Sequence, residues 1–300
     1  MKRHAYLILA HTNFGQLRKL AGLLDDPRND IFVHVDGKAE FSPEGWEDAC
    51  RHSRLVFLKD RIKVSWGGVS IMRAELRLLE EATAAGSYDY YHLLSGMDLP
   101  IKTQDSIHEF FDAHSGMEFL SMWKFSDRTR SRVNYYTLFP EGAGFFLTNF
   151  LNNAFKIIQK AVGFRINRDV KFGYASQWFS ITDSLARHVL SRKDWLEKTF
   201  RHTNTCDEIF LPTIVCNSAE FMDRLYVEDE STNYSGLNRS NMRFIDWSRG
   251  ESVRHPWTFR NEDWNLLMSV PYFWARKFDE RVDGRIIDRI CSHLKDGGAS

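Results

Sequence analysis

Short apolar runs ending in polar turns alternate with stretches of helical period through the first hundred residues. Tyr6 to Ala10 is apolar and breaks at once into His11-Thr12-Asn13, the pattern of a buried strand. Residues 16–24 set Leu17, Leu20, Leu23 and Leu24 on one face of a helix. Ile31 to Asp36 predicts a second strand, running into Gly37-Lys38, and Leu55 to Leu58 a third. Val69 to Ala82 predicts a longer helix, with Ile71, Leu76, Leu78 and Leu79 apolar between charges. Tyr88 to Leu94 predicts a fourth strand, followed by Ser95-Gly96-Met97-Asp98-Leu99-Pro100. Strands alternating with helices imply a mostly parallel sheet flanked by helices. Ligands of such sheets sit beyond the carboxyl ends of the strands. His11, Thr12, Asn13, Asp36, Ser95, Gly96 and Asp98 are therefore the first candidates for a site.

The second half is less regular. Glu118 to Trp123 and Ser176 to Ile181 read as strands, and residues 183–191 and 207–215 as helices. Between them, residues 137–172 hold an amphipathic helix with Phe145, Phe146, Phe150, Phe155, Ile157 and Ile158 against Lys156, Lys160, Arg165 and Arg168. The preferred reading packs this helix on the domain. The alternative sets it on a membrane surface that carries a lipid-linked acceptor. No repeat or linker divides the chain, so 1–300 is expected to be one domain. Residues 1–115 would form a nucleotide-binding half and 116–283 an acceptor-binding and catalytic half, with 137–172 inserted.

Forty basic and forty acidic residues cancel, which argues against a nucleic-acid partner. The four cysteines lack metal-ligand spacing and read as reduced thiols. The opening apolar run is too short for a signal peptide, and no stretch of about 18 apolar residues exists to span a bilayer. The expected location is cytoplasmic, or peripheral at the inner face of the membrane.

Candidate chemistry is sparse when each piece is taken alone. Glu208 follows Asp207 at the mouth of the helix read at 207–215 and is equally a helix-opening acid favoured by the dipole, with Thr205 or Asp207 as N-cap. Trp66-Gly67-Gly68 precedes a helix start, a place suited to oxyanions. Gly96 would let backbone approach a ligand closely. His34 and His92 read as buried strand residues. The chain contains no Asp-x-Asp pair to hold a divalent ion. Arg254 and Lys277 are cations that could offset a diphosphate instead.

Four segments in order carry a family resemblance: His34-Val35-Asp36-Gly37-Lys38, Leu94-Ser95-Gly96-Met97-Asp98-Leu99-Pro100-Ile101, Asp207-Glu208 with Thr213, and Phe273-Trp274-Ala275-Arg276-Lys277-Phe278-Asp279. Together they resemble the core-2/I-branching enzyme and peptide O-xylosyltransferase family. The resemblance implies a GT-A-type, Rossmann-like α/β fold and a metal-independent, inverting transfer from a UDP-sugar to a glycan hydroxyl. It implies Glu208 as catalytic base and Lys277, with Arg254, on the diphosphate. Asp36 would hold the uridine end, with His11, Trp66, Gly67, Ser95, Gly96 and Asp98 around the donor. Glu118, Trp178 and Phe244 would meet the acceptor. No cofactor is expected, since the UDP-sugar is a substrate. The resemblance leaves N-acetylglucosamine and xylose open as the sugar, the former preferred. The chain shows neither the membrane anchor nor the disulfides of animal members. A bacterial surface polysaccharide or lipid-linked oligosaccharide is therefore the expected acceptor. The rival expectation is a sugar-binding protein with a dead site.

Overall fold

The structure is a computed structural model that describes residues 2–142, 145–227, 239–249, 255–295 and 297. Its core is a six-stranded sheet in the order β3-β2-β1-β4-β7-β6. The strands are β1 (His4–Ala10), β2 (Asn29–Val35), β3 (Arg54–Phe57), β4 (Tyr90–Ser95), β6 (Phe119–Met122) and β7 (Ala175–Thr182). The first four are mutually parallel. β7 runs antiparallel to both β4 and β6. The mostly parallel α/β sheet read from the pattern is thus present.

β1 and β2 are buried on both faces, which is why they read as continuous apolar runs. Alternation along β1 splits the core. Ala5 and Leu7 join the cluster under α2 (Ser70–Ala85), with Met72, Leu76 and Leu79. Tyr6 and Ile8 face α1 (Phe14–Leu23), α3 (Gln104–Ala113) and α11 (Glu280–Lys295). The remaining helices are α4 (Asp127–Val133), α5 (Phe146–Ala161), α6 (Asp183–Ser191), α7 (Lys193–Phe200), α8 (Phe210–Cys216), α9 (Ala219–Asp223) and α10 (Trp264–Ser269). α6 has the bounds the sequence predicts, its N-cap Thr182 accepting from Leu185 N–H.

α8 corrects an expectation. It starts at Phe210 rather than 207, because Ile209 and Phe210 N–H both close on the Cys206 carbonyl in a turn. Its N-cap is Ile209 with no side-chain cap, so neither Thr205 nor Asp207 caps it. Glu208 sits in the turn, outside the helix.

A second sheet, in the order β5-β9-β8, comes from β5 (Asp98–Pro100), β8 (Arg243–Ile245) and β9 (Trp274–Arg276). One buried guanidinium joins the two sheets. Arg243 Nη2 donates to the Leu93 carbonyl at 3.2 Å and to the Phe179 carbonyl, and Nη1 donates to Ser180 Oγ at 2.9 Å. The same guanidinium lies 4.6 Å from the centre of the Trp274 ring. All four cysteines are free thiols. Among the described residues no helix is long and apolar enough to cross a membrane.

Candidate active site

The parallel strands end level with one another, Ala10 opposite Val35 and Leu9 opposite Ser95. Beyond those ends opens a cleft of about 530 Å³. His11, Asp36, Ser95 and Gly96 line it from the strand ends, Trp66 and Gly67 from the loop before α2, Trp178 from β7 and Glu208 from the turn before α8. With Thr12, which also lines it, nine residues expected at a site from the sequence are therefore brought together. Gly96 sits beside Ala10, and its N–H donates to the Leu9 carbonyl at 2.9 Å, which continues the β1–β4 pairing to the cleft.

Glu208 is three-quarters buried and accepts from Arg132 Nη1 at 2.8 Å. Its neighbour Asp207 has an Oδ1 sealed from solvent without a partner among the described residues. Burial, and then the charge of Glu208, push the Asp207 carboxyl up to about 7. Glu75 of α2 completes an acidic group. It is fully buried and accepts from Gln177 Nε2 at 2.7 Å on one oxygen, while the other has no partner among the described residues. Burial, with Asp207 adding to it, raises its carboxyl well above the usual range. Burial and the Glu208 carboxylate likewise raise the Tyr174 hydroxyl to about 12. The turn that presents Asp207 and Glu208 starts at Thr205, a β-branched residue at φ 53°, whose N–H donates to the Gly67 carbonyl at 2.9 Å.

The closing segment is tied to the strand ends by Gln16. Its Nε2 donates to the Gly96 carbonyl at 3.0 Å and the Phe278 carbonyl at 3.2 Å, and its Oε1 accepts from Glu280 N–H at 3.0 Å. Asn13 adds a bond to Asp279 at 2.9 Å. This anchoring sets Lys277 near His11. Burial lowers the His11 imidazole, Asp36 opposes that, and the Lys277 and Arg276 cations reinforce it. Lys277 itself is half-buried behind the lining, its ammonium lowered by burial and by Arg276. Arg254 lies outside the described residues.

Several expected roles need correction. Asp98 does not face the cleft. Its buried carboxylate accepts from Ser95 N–H at 2.8 Å and from Arg276 Nη1 at 2.7 Å. Arg276 lines the cleft in its place, 4.4 Å above the Trp178 ring. Glu118 is at the far end of the sheet, paired with Thr182 and Arg224. Thr182 lies opposite Tyr90, the first residue of β4, so Glu118 is remote from the cleft. Phe244 is buried against Phe259 and Tyr272. Trp247, three residues on, presents a half-exposed ring to the cleft instead. The α2 N-terminus is occupied from within the chain, since the Glu141 carboxylate accepts from both N–H and Oγ of Ser70 at 2.9 and 2.6 Å. Asp36 Oδ1 accepts from Lys38 and Val64 N–H, which leaves Oδ2 toward Lys38 Nζ at 3.6 Å. His34, read as a core residue, also touches the cleft and accepts from Ile62 N–H at 2.9 Å.

Arg132, Glu75 and Trp247 are additions the sequence reading missed. A signal existed for Glu75, an acid within the apolar stripe that Met72, Leu76 and Leu79 mark on α2. Among the described residues no group of three His, Cys, Asp or Glu side chains is arranged to hold a metal ion.

Comparison with known proteins adds a family. Residues 4–267 match the model of the core-2/I-branching enzyme family. The chain is 23% identical over 305 residues to xylosyltransferase 2 of Rattus norvegicus, covering 97% of this chain and 34% of that protein. It is 21% identical to xylosyltransferase 1 of Mus musculus, covering 97% and 30%. It thus spans about a third of the length of the curated relatives it matches. Among solved structures, apo mouse xyloside xylosyltransferase 1 aligns over 92% of this chain and 97% of that one, at 9% identity and a TM-score of 0.39.

Proposed function

Since the chain belongs to the core-2/I-branching enzyme family, a family of glycosyltransferases, we propose that it moves a sugar from a UDP-sugar to a hydroxyl of a glycan acceptor with inversion. The observation that carries this reading is Glu208, an acid held by Arg132 in the cleft beyond the strand ends. An acceptor hydroxyl entering the cleft loses its proton to Glu208 as it attacks the anomeric carbon. The departing diphosphate needs positive charge, which Lys277 and Arg254 supply without a metal ion. Asp36, His11 and the Ser95-Gly96 turn flank the nucleotide.

Relatives named as xylosyltransferases bring UDP-xylose level with UDP-N-acetylglucosamine as donor. The acceptor in this reading is a glycan or lipid-linked oligosaccharide, such as a bacterial surface polysaccharide intermediate. UDP release from a panel of UDP-sugars in excess EDTA tests the whole assignment. One donor should turn over, and Glu208→Gln should slow it by about 10²–10⁴. Near-full turnover in that variant removes Glu208 from the mechanism, and a requirement for manganese removes the metal-free reading. Saturable UDP binding without turnover of any donor or acceptor would favour a binding protein.

A further inference from the structure

A surface helix of a globular protein normally turns its apolar stripe inward. α5 does the reverse. Gln159, its one buried residue, bonds Tyr136 through both N–H and carbonyl, at 2.8 and 2.9 Å. Asn152 bonds Phe139 in the same two-sided way at 3.0 and 3.1 Å. Lys156 Nζ reaches Ser131 Oγ at 2.8 Å. The helix is fastened to the protein by its polar face. Its apolar face points outward, with Phe146 89%, Phe150 60% and Ile157 67% exposed. Eleven of the sixteen large apolar side chains exposed among the described residues lie between Leu138 and Phe164. A patch of that extent marks an interaction surface.

Charge says what covers it. Between Lys124 and Phe172 the chain carries nine basic and three acidic residues, although the whole chain is neutral. Lys160 in the last turn of α5 and Arg165 and Arg168 just beyond it are exposed, as is Arg128 on α4. An exposed apolar face in a segment with an excess of exposed cations matches the interface of an anionic bilayer. We propose that the outward face of α5 docks the protein on a membrane surface carrying anionic lipid headgroups. The helix lies in the interface and does not cross. Its sixteen residues reach about 24 Å at ~1.5 Å each, short of the ~30 Å hydrocarbon core. The polar bonds to Tyr136, Phe139 and Ser131 hold it flat along the protein.

The segment also reaches the cleft, where Arg132 holds the lining residue Glu208. Docking would therefore hold the cleft beside the headgroups, where a lipid-linked substrate is presented. The docking proposal stands on the helix alone and does not depend on the catalytic reading.

Co-sedimentation of the full chain with phosphatidylcholine vesicles, with and without phosphatidylglycerol, tests it. The chain should pellet with the anionic vesicles and release as salt rises. Phe150→Ser/Ile157→Ser should weaken binding at least about tenfold, and Lys160→Glu/Arg165→Glu should abolish the preference for phosphatidylglycerol. Melting temperatures of both variants guard against misfolding, and UDP release from a soluble donor should survive in both, separating docking from catalysis. A wild-type chain left in the supernatant with anionic vesicles at low salt overturns the proposal. So does a dimer that Phe150→Ser dissociates, which would assign the face to a second copy.

Discussion

Arg132 Nη1 donates to Glu208 Oε2 at 2.8 Å across 76 residues of sequence, joining α4 to the turn before α8. The guanidinium pairs with Glu208, which with Asp207 and Glu75 makes up a group of three acids. Its charge also pulls the Asp207 carboxyl down against burial and the charge of Glu208.

Removing that cation should move the pH profile. Asp207, beside the proposed base, is pushed up to about 7, and the rate falls as pH drops through that titration. Arg132→Met leaves the carboxyls without their counter-charge and raises that titration. The acidic limb of kcat/KM should shift to higher pH by about one unit. A profile of wild-type shape in the variant would show that Arg132 only braces α4.

Glu75 makes a stability prediction with a definite sign. Its folded-state carboxyl is raised, so the native chain keeps a proton that the unfolded chain gives up above pH 4.5. Stability from this group therefore declines as pH rises past 4.5. Glu75→Gln keeps the shape and removes the titration. The melting temperature of the variant minus that of wild type should grow from pH 4.5 upward, most clearly at pH 8. A flat difference would mean that Glu75 is ionised in the fold.

Arg276 and Asp98 form a second coupled pair, with the Asp98 side chain 3% exposed. Arg276→Met strands that carboxylate, although Ser95 N–H and Oγ still donate to it. A loss of about 3 kcal/mol is expected in urea denaturation, the low end for a broken buried pair. Arg276→Met/Asp98→Asn should recover most of it. Additive losses would show that the two side chains act independently.

Trp247 offers the cleft a half-exposed ring of the kind that packs on the apolar face of a sugar. Trp247→Ala should raise the acceptor KM several-fold while leaving donor hydrolysis unchanged. An equal loss in both reactions would move Trp247 to the donor side.

The strands were legible because parallel strands are buried on both faces and leave unbroken apolar runs, as Ile31 to Val35 shows. The strand-end candidates followed from topology, and His11, Asp36, Ser95 and Gly96 do share one cleft. What stayed hidden depends on contacts distant in sequence. Nothing near Arg132 in an arginine-rich stretch singles it out from Arg128 or Arg130, and only the fold brings it to Glu208. Motif position points to Glu118 and Phe244 but says nothing of which end of a strand or which face of a small sheet a side chain occupies. The helix at 137–172 was visible as amphipathic, but periodicity cannot tell which of its two faces turns inward.

Arg243 has a consequence for how the molecule comes apart. Its guanidinium grips carbonyls of β4 and β7 from a strand of the smaller sheet, whose neighbour β9 carries Arg276 and leads into Lys277. The smaller sheet cannot peel away without stranding a buried cation and baring those carbonyls. Amides of β8 and β9 should therefore exchange hydrogen only at the pace of global unfolding, as those of β4 do. The two sheets would then form one cooperative unit, and Arg276 at the cleft would be as rigid as the core strands.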